Sequence, residues 1–411
     1  MMQVPAGALR AADKSPAPTA RAASVGHLDF YHYDSMDVLS YEPICRYLDN
    51  AALVAPASDG VLDFARAELY FRQRGLTFQT EPSGDAAAVV GTQYFWTLGR
   101  PQYKRVPVLR LMYSLSEKGG AAHGKEWSDW FDAVLCPGPY SQRLLQRWGR
   151  RAIIVGFPKY DDYFRGRYRA GAVRAKFGLD AKRKCALYLP TWAHHSSVDR
   201  FAAAIRELAH GGEYQVLYKP HTVTTRLERH RIECFRSEIE AGQLVCIEEQ
   251  SNMAELLLVA DVVLADGMSG AFWEAVIVSD RPVLALHVHG EFERVLMDAR
   301  VEDFAPVCDE PAALRRSIER ATCAHVIQPS PRVLLANELL SYRDGSAGQR
   351  AAEVIAELAA EEDSRSWAVL RREVRYRTWR AVHAARSDRS LQRLRHPVLT
   401  VRNGLRRLVQ T

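Results

Sequence analysis

A chain of 411 residues with 47% apolar and 25% charged residues is expected to be a soluble globular protein, too long for one small core and sized for two domains plus extra segments. Seven cysteines (Cys45, Cys136, Cys185, Cys234, Cys246, Cys308 and Cys323), an odd number without a close pair, argue against a disulfide framework or a zinc site and for a reducing cytoplasm. The net charge of +6 is uneven: from Ser364 to Thr411 thirteen arginines face only Glu373 and Asp388, so the rest of the chain is net acidic.

In chain order, residues 1–24 are rich in Ala and Pro, lack the apolar stretch of an export leader, and are expected to be a disordered tail. A first α/β unit follows over 25–158. Its expected strands are His27–Tyr31, Ala51–Ala55, Ala86–Gly91, Val106–Tyr113, Ala133–Cys136 and Ala152–Val155, and its clearest helices are Leu62–Arg74 and Ser141–Trp148. Gly156-Phe157-Pro158-Lys159-Tyr160-Asp161 breaks the alternation and marks the junction.

A second unit is expected over 159–362, with strands Cys185–Leu189, Gln215–Lys219, Leu244–Ile247, Val262–Ala265 and Pro282–Leu286. Between them lie helices near Phe201–Ala209, Leu227–Ile239, Met253–Val259 and Phe272–Val278, and after them helices at Ala312–Ala321, Arg332–Leu340 and Gly348–Glu361. The alternation implies an α/β fold of GT-B-like architecture: two doubly wound, Rossmann-type domains whose ligand crevices face a shared cleft. Apolar residues such as Trp367, Trp379 and Leu391 interleave with the arginines of 363–411, which reads as a basic amphipathic helical tail resting on an anionic membrane surface. Helices packed back on the body are the alternative, and nucleic acid is not expected as a partner. No apolar run approaches the ~20 residues of a membrane span.

The stretch Ala260–Glu274 carries the strongest chemical signal. A β-type run ends in Asp266-Gly267-Met268-Ser269-Gly270 and then enters a helical pattern. Unpaired N–H groups at a helix start, a hydroxyl and flanking glycines together suit a phosphate. Two further strands end in Pro190-Thr191-Trp192 and in Lys219-Pro220-His221. Singly, Lys219 reads as a solvated strand end, His221 as a surface cap and Trp192 as a core aromatic. Together at consecutive strand ends they read as a diphosphate site. No Asp-x-Asp motif falls in these segments, so no cofactor or resident metal is expected, although Mg²⁺ is able to accompany a diphosphate.

These motifs resemble those of the CDP-glycerol glycerophosphotransferase family, which transfers polyol phosphate from a CDP-activated donor in making teichoic-acid-like polymers. Gly156–Asp161 is similar to the family's GxPRxD segment, with Lys159 for Arg, and Leu189–Ala193 to its APTWR. Lys219-Pro220-His221 is similar to KPH, Ala260–Gly270 to aDvlITDYSS, and Arg343–Arg350 to DDGxAxxR. The resemblance implies a GT-B enzyme of cell-envelope (teichoic acid or capsule) synthesis, working at the inner face of the membrane on a glycan or lipid-linked acceptor. Its donor site would draw on Gly156, Lys159, Asp161, Pro190, Thr191, Trp192, Lys219, His221, Asp266, Gly267, Met268, Ser269, Gly270, Glu274 and Arg350. Among these, Asp266 would orient His221 or hold sugar hydroxyls, Glu274 is the alternative for ribose, and Arg350 completes the anion site or pairs with Asp344.

The first unit departs from the pattern. The family's HGxxxK, whose His is the expected general base, aligns with Tyr113–Gly119, placing Tyr113 at the His position. A phenol of ordinary pKa near 10 is a poor base at neutral pH. His123 or Glu117 is therefore expected to take the acceptor's proton, with His32 or Asp34 as further candidates. A nucleotide-sugar transferase of the same architecture and a non-catalytic membrane-associated binding protein are the rival readings.

Overall fold

The computed structural model describes residues 26–32, 35–55, 64–92, 103, 106–115, 131–147, 151–248, 252–288, 300–327 and 336–361. Both tails named above lie outside them.

Two parallel sheets organise the chain. The first has the order β3-β2-β1-β4-β5-β6-β7, built from β1 (Leu28–Tyr31), β2 (Ala51–Val54), β3 (Thr77–Gln79), β4 (Ala88–Gly91), β5 (Val108–Leu111), β6 (Ala133–Cys136) and β7 (Arg151–Ile154). The second has the order β10-β9-β8-β11-β12-β13, with β8 (Lys184–Leu189), β9 (Tyr214–Tyr218), β10 (Leu244–Cys246), β11 (Val262–Asp266), β12 (Val283–Leu286) and β13 (Val307–Cys308). Runs such as Val262–Asp266 are buried along their whole length, as strands covered by helices on both faces must be. In each sheet the strand order reverses once, between β1 and β4 and between β8 and β11, which opens a crevice at the carboxyl ends.

The expected α/β, doubly wound reading holds, with differences of detail. The short edge strands β3 and β13 and the helix Ser35–Cys45 were not anticipated, because a two- or three-residue edge strand gives no periodicity and Pro43 sits inside that helix. The helix expected over Leu227–Ile239 is three short helices, Thr222–Leu227, His230–Glu233 and Arg236–Glu240. In place of Arg332–Leu340, only 336–339 is described as helical.

The larger correction concerns the last helix, Ala347–Ala360, which the chain order assigned to the second unit. Its Ala351, Ala352, Ile355, Leu358 and Ala359 are buried with Leu28, Phe30, Leu53 and Leu109 in the core of the first sheet. It crosses so close to the helix Ser35–Cys45 that a Cβ on Gly348 would lie 2.4 Å from the Pro43 carbonyl oxygen. Conversely Leu115, just beyond β5, is buried in the core of the second unit with Phe157 and Tyr160. Each unit lends the other a piece of core.

Candidate active site

Strand register brings the donor-side motifs to one edge. β8 pairs in parallel with β9 (Tyr188 opposite Tyr218) and with β11 (Leu189 opposite Ala265). The segments that continue from these strands therefore leave the second sheet side by side. They are Pro190–Trp192, Lys219–His221 and Asp266–Gly270, and side-chain contacts join them. Asp266 Oδ2 accepts the N–H groups of Thr191 (2.7 Å) and Ser197 (3.1 Å), and the Trp192 and His221 rings lie 6.1 Å apart, tilted by 32°.

The turn after β11 leads from the strand directly into a capped helix. Ser269 caps the helix Gly270–Val278, its Oγ accepting the Phe272 N–H at 3.0 Å. Ser269 N–H is spent on the Asp266 carbonyl, and Gly267 N–H on that of Leu286. Gly267 therefore has no free N–H to give a ligand. Among the described residues the N–H groups of Met268, Gly270 and Ala271 have no partner, which leaves three donors at the positive end of a helix.

His221 caps the next helix, Thr222–Leu227: its Nδ1 accepts the Val223 N–H at 3.1 Å. An acceptor Nδ1 carries no proton, so the neutral ring is the Nε2–H tautomer, a hydrogen-bond donor. Lys219 is half-buried, gives its N–H to the Tyr188 carbonyl, and its charge acts on Cys246 at the end of β10, on the far side of β9.

Asp266 does not orient His221. It is buried, and through Oδ2 it holds the Thr191–Ser197 loop; Oδ1 has no hydrogen-bond partner among the described residues. Burial pushes its carboxyl up to about 7, against the pull of the Ser197 and Thr191 hydrogen bonds.

Several residues expected at the donor are instead engaged with one another. Lys159 donates to Glu274 Oε2 at 2.7 Å, and the Tyr160 hydroxyl donates to the same oxygen; Lys159 and Glu274 are both buried. Burial first, and then the Glu274 charge, raise the Tyr160 phenol well above its ordinary range. Asn252 Nδ2 donates to the Lys159 carbonyl at 2.6 Å, anchoring the linker to a second helix start. Asp161 accepts the N–H groups of Ala347 (3.0 Å) and Gly348 (2.7 Å) and so caps the crossing helix; burial pushes its carboxyl up to about 6. Arg350 donates through Nη1 and Nη2 to Asp344 and through Nε to the Val155 carbonyl, and it covers the Tyr342 ring at 4.2 Å. The pairing with Asp344 left open by the sequence is the one found. Gly156, at φ +91°, turns the chain out of β7 against Ala347. Lys159, Glu274 and Asp161 close the junction because buried charges must be paired or hydrogen-bonded, whereas the Arg350–Asp344 pair lies at the surface.

On the first sheet, Tyr113 is half-buried beyond β5. His32 is fully buried beyond β1, its Nδ1 3.8 Å from Asp37, whose other oxygen accepts from Thr92. Asp34, Glu117 and His123 lie outside the described residues. Sequence reasoning missed Ser197 and Glu228, which fix the loop around Trp192; a serine and a glutamate in polar stretches carry no signal until the loop is folded. Among the described residues, no group of three or more His, Cys, Asp or Glu could hold a metal ion, and no helix is long and apolar enough to cross a membrane.

No curated protein matches the chain. Among solved structures, a variant of the wall teichoic acid polymerase TagF soaked with CDPG superposes with a TM-score of 0.57 at 15% identity, covering 81% of this chain and 88% of that one. The UDP-GlcNAc 2-epimerase of Neisseria meningitidis bound to UDP-GlcNAc gives 0.51 at 11% identity, covering 80% and 100%. At these identities the likeness is one of fold, and it bears out the two-sheet GT-B reading. The family model described as CDP-Glycerol:Poly(glycerophosphate) glycerophosphotransferase matches residues 110–357, more than half of the chain and all five motif segments. The chain belongs to the CDP-glycerol:poly(glycerophosphate) glycerophosphotransferase family and is a transferase of that class.

Proposed function

We propose that this enzyme transfers a polyol phosphate, glycerol phosphate or ribitol phosphate, from its CDP-activated form to an acceptor hydroxyl, releasing CMP. The observation that carries the reading is the edge formed by β9, β8 and β11: after β11 it carries three N–H groups without a partner among the described residues at a helix start, and after β9 an imidazole held as an Nε2–H donor. In-line displacement at the β-phosphorus spreads negative charge over non-bridging oxygens and then onto CMP. Fixed donors that need no rearrangement stabilise that charge. The acceptor proton is assigned to His123 or Glu117 in this reading, since the Tyr113 phenol is unsuited to the task. The acceptor would be a glycan or lipid-linked polyol in envelope-polymer synthesis, reached from the cytoplasmic face, with the arginines of 364–411 holding the protein on anionic lipid.

Incubation with CDP-glycerol, CDP-ribitol and a panel of nucleotide sugars, with and without Mg²⁺, tests the reading by the nucleotide released. CMP from a CDP-polyol is expected. Nucleoside diphosphate from a sugar donor would replace the reading with a glycosyltransferase, and donor binding without turnover would make the chain a binding protein. In the active pair, His221→Ala is expected to lower kcat by about 10²- to 10³-fold, the usual cost of losing one preorganised donor to an oxyanion. His123→Ala and Glu117→Gln, assayed beside it, identify the base as the variant with the larger loss.

A further inference from the structure

Trp192 is kept in an unfavourable place by a dedicated set of contacts. Its side chain is 41% exposed, one of few large apolar groups at the surface of the described residues. Leaving an indole in water forgoes the gain of burying it. The next residue, Ala193, has φ +55°, a left-handed conformation that costs strain in any residue with a Cβ. That conformation is pinned from three helices. Ala193 N–H donates to Glu228 Oε1 at 3.0 Å, while Glu228 Oε2 accepts from the Thr224 hydroxyl at 3.2 Å and from Arg231. Arg231 in turn donates to Asp199 at the start of the helix Val198–His210. On its other side the loop is tied by Thr191 and Ser197 to Asp266.

Strain and exposure held in place by surrounding structure point to a ligand contact. The position narrows its chemistry. Trp192 is one residue from the Thr191 tie to Asp266, and its ring packs against His221, which in the proposed reading donates its Nε2–H to a phosphoryl oxygen. The ligand part next to a reacting phosphoryl group is the polyol bonded to it or the polyol attacking it. The remaining neighbour, the α-phosphate of the CMP leaving group, has no apolar face, and the nucleobase of a CDP donor lies a ribose beyond it. An indole face suits the C–H edge of such a polyol, and the imidazole beside it suits the phosphate. We infer that Trp192 is the apolar wall of the polyol subsite, a specificity-determining residue that Glu228 holds in place through Ala193.

The inference rests on the CDP-polyol reading above, and the test separates the two. Calorimetry of CMP and CDP-glycerol is combined with steady-state transfer to a glycerol phosphate oligomer, for wild type, Trp192→Ala, Trp192→Phe and Glu228→Gln. If wild type neither binds CDP-glycerol nor releases CMP from it, the functional reading itself fails. Given an active wild type, Trp192→Ala is expected to bind CMP within about twofold of wild type. It should weaken either CDP-glycerol binding (the transferred polyol) or the KM for the oligomer (the accepting polyol) by about tenfold. Trp192→Phe should recover most of that loss, and Glu228→Gln should reproduce part of it, both with melting temperatures near wild type. Equal weakening of CMP and CDP-glycerol would move Trp192 to the nucleotide and overturn the inference. So would wild-type behaviour of Trp192→Ala in all three measurements.

Discussion

At the edge formed by β9, β8 and β11, three N–H groups and one carboxylate oxygen have no partner among the described residues. Along the linker after β7, by contrast, Lys159, Asp161 and Arg350 have theirs filled by Glu274, by the N–H groups of Ala347 and Gly348, and by Asp344. The first region keeps hydrogen-bonding groups unspent, whereas the second spends its own on joining distant segments of the chain. A polar group's role follows from whether its hydrogen bonds are already spent, since a buried charge that has its partner has little left to offer a substrate.

Breaking the linker should therefore cost stability, and altering the strand edge should cost binding. The largest stability effect is expected from Lys159→Ala, which leaves the Glu274 carboxylate buried without its ammonium: about 3–5 kcal/mol by denaturant unfolding. A loss confined to donor affinity, with unfolding unchanged, would return Lys159 to the donor site. Asp161→Ala removes the carboxylate that accepts two buried N–H groups at the start of the crossing helix. It is expected to cost about 1–3 kcal/mol in the same measurement, while Asp161→Asn, which keeps one acceptor oxygen, should cost less.

The smallest effect sharpens the other side of the comparison. Asp266 has its folded-state pKa raised to about 7 from an ordinary 3.8. Its neutral form is thus favoured by folding: that contribution is full below about pH 4 and is lost as pH rises through about 7. Above that pH a buried negative charge sits at the foot of the diphosphate cradle. Affinity for CDP-glycerol is expected to fall severalfold between pH 6 and pH 8 in wild type. Asp266→Asn, neutral throughout and still able to accept the Thr191 and Ser197 N–H groups, should flatten that dependence. An identical slope in the variant would assign the titration elsewhere.

The two regions also differ in how legible they are from the chain alone. The turn is local: strand, turn, Ser269 cap and helix lie within seventeen consecutive residues, so composition and order are enough to suggest it. The partners of Lys159, Asp161 and Arg350 are not. Glu274 is 115 residues from Lys159, and Ala347 is 186 from Asp161. An arginine or lysine in a motif looks the same whether it meets a phosphate or a distant carboxylate. The same limit explains the helix Ala347–Ala360, whose apolar face is plain in sequence but whose neighbour is not.

By itself the sequence determined the alternation of strands and helices, two doubly wound units and the motif order that places the chain in its family, because these depend on neighbouring residues and on side-chain period. Tertiary structure alone decided that the last helix belongs to the first core, that the linker's Lys159 and Asp161 find their partners on distant helices, and that Ala193 is bent to leave Trp192 exposed. Those outcomes depend on which buried polar groups and apolar faces find partners across the whole fold, and no local pattern specifies that pairing.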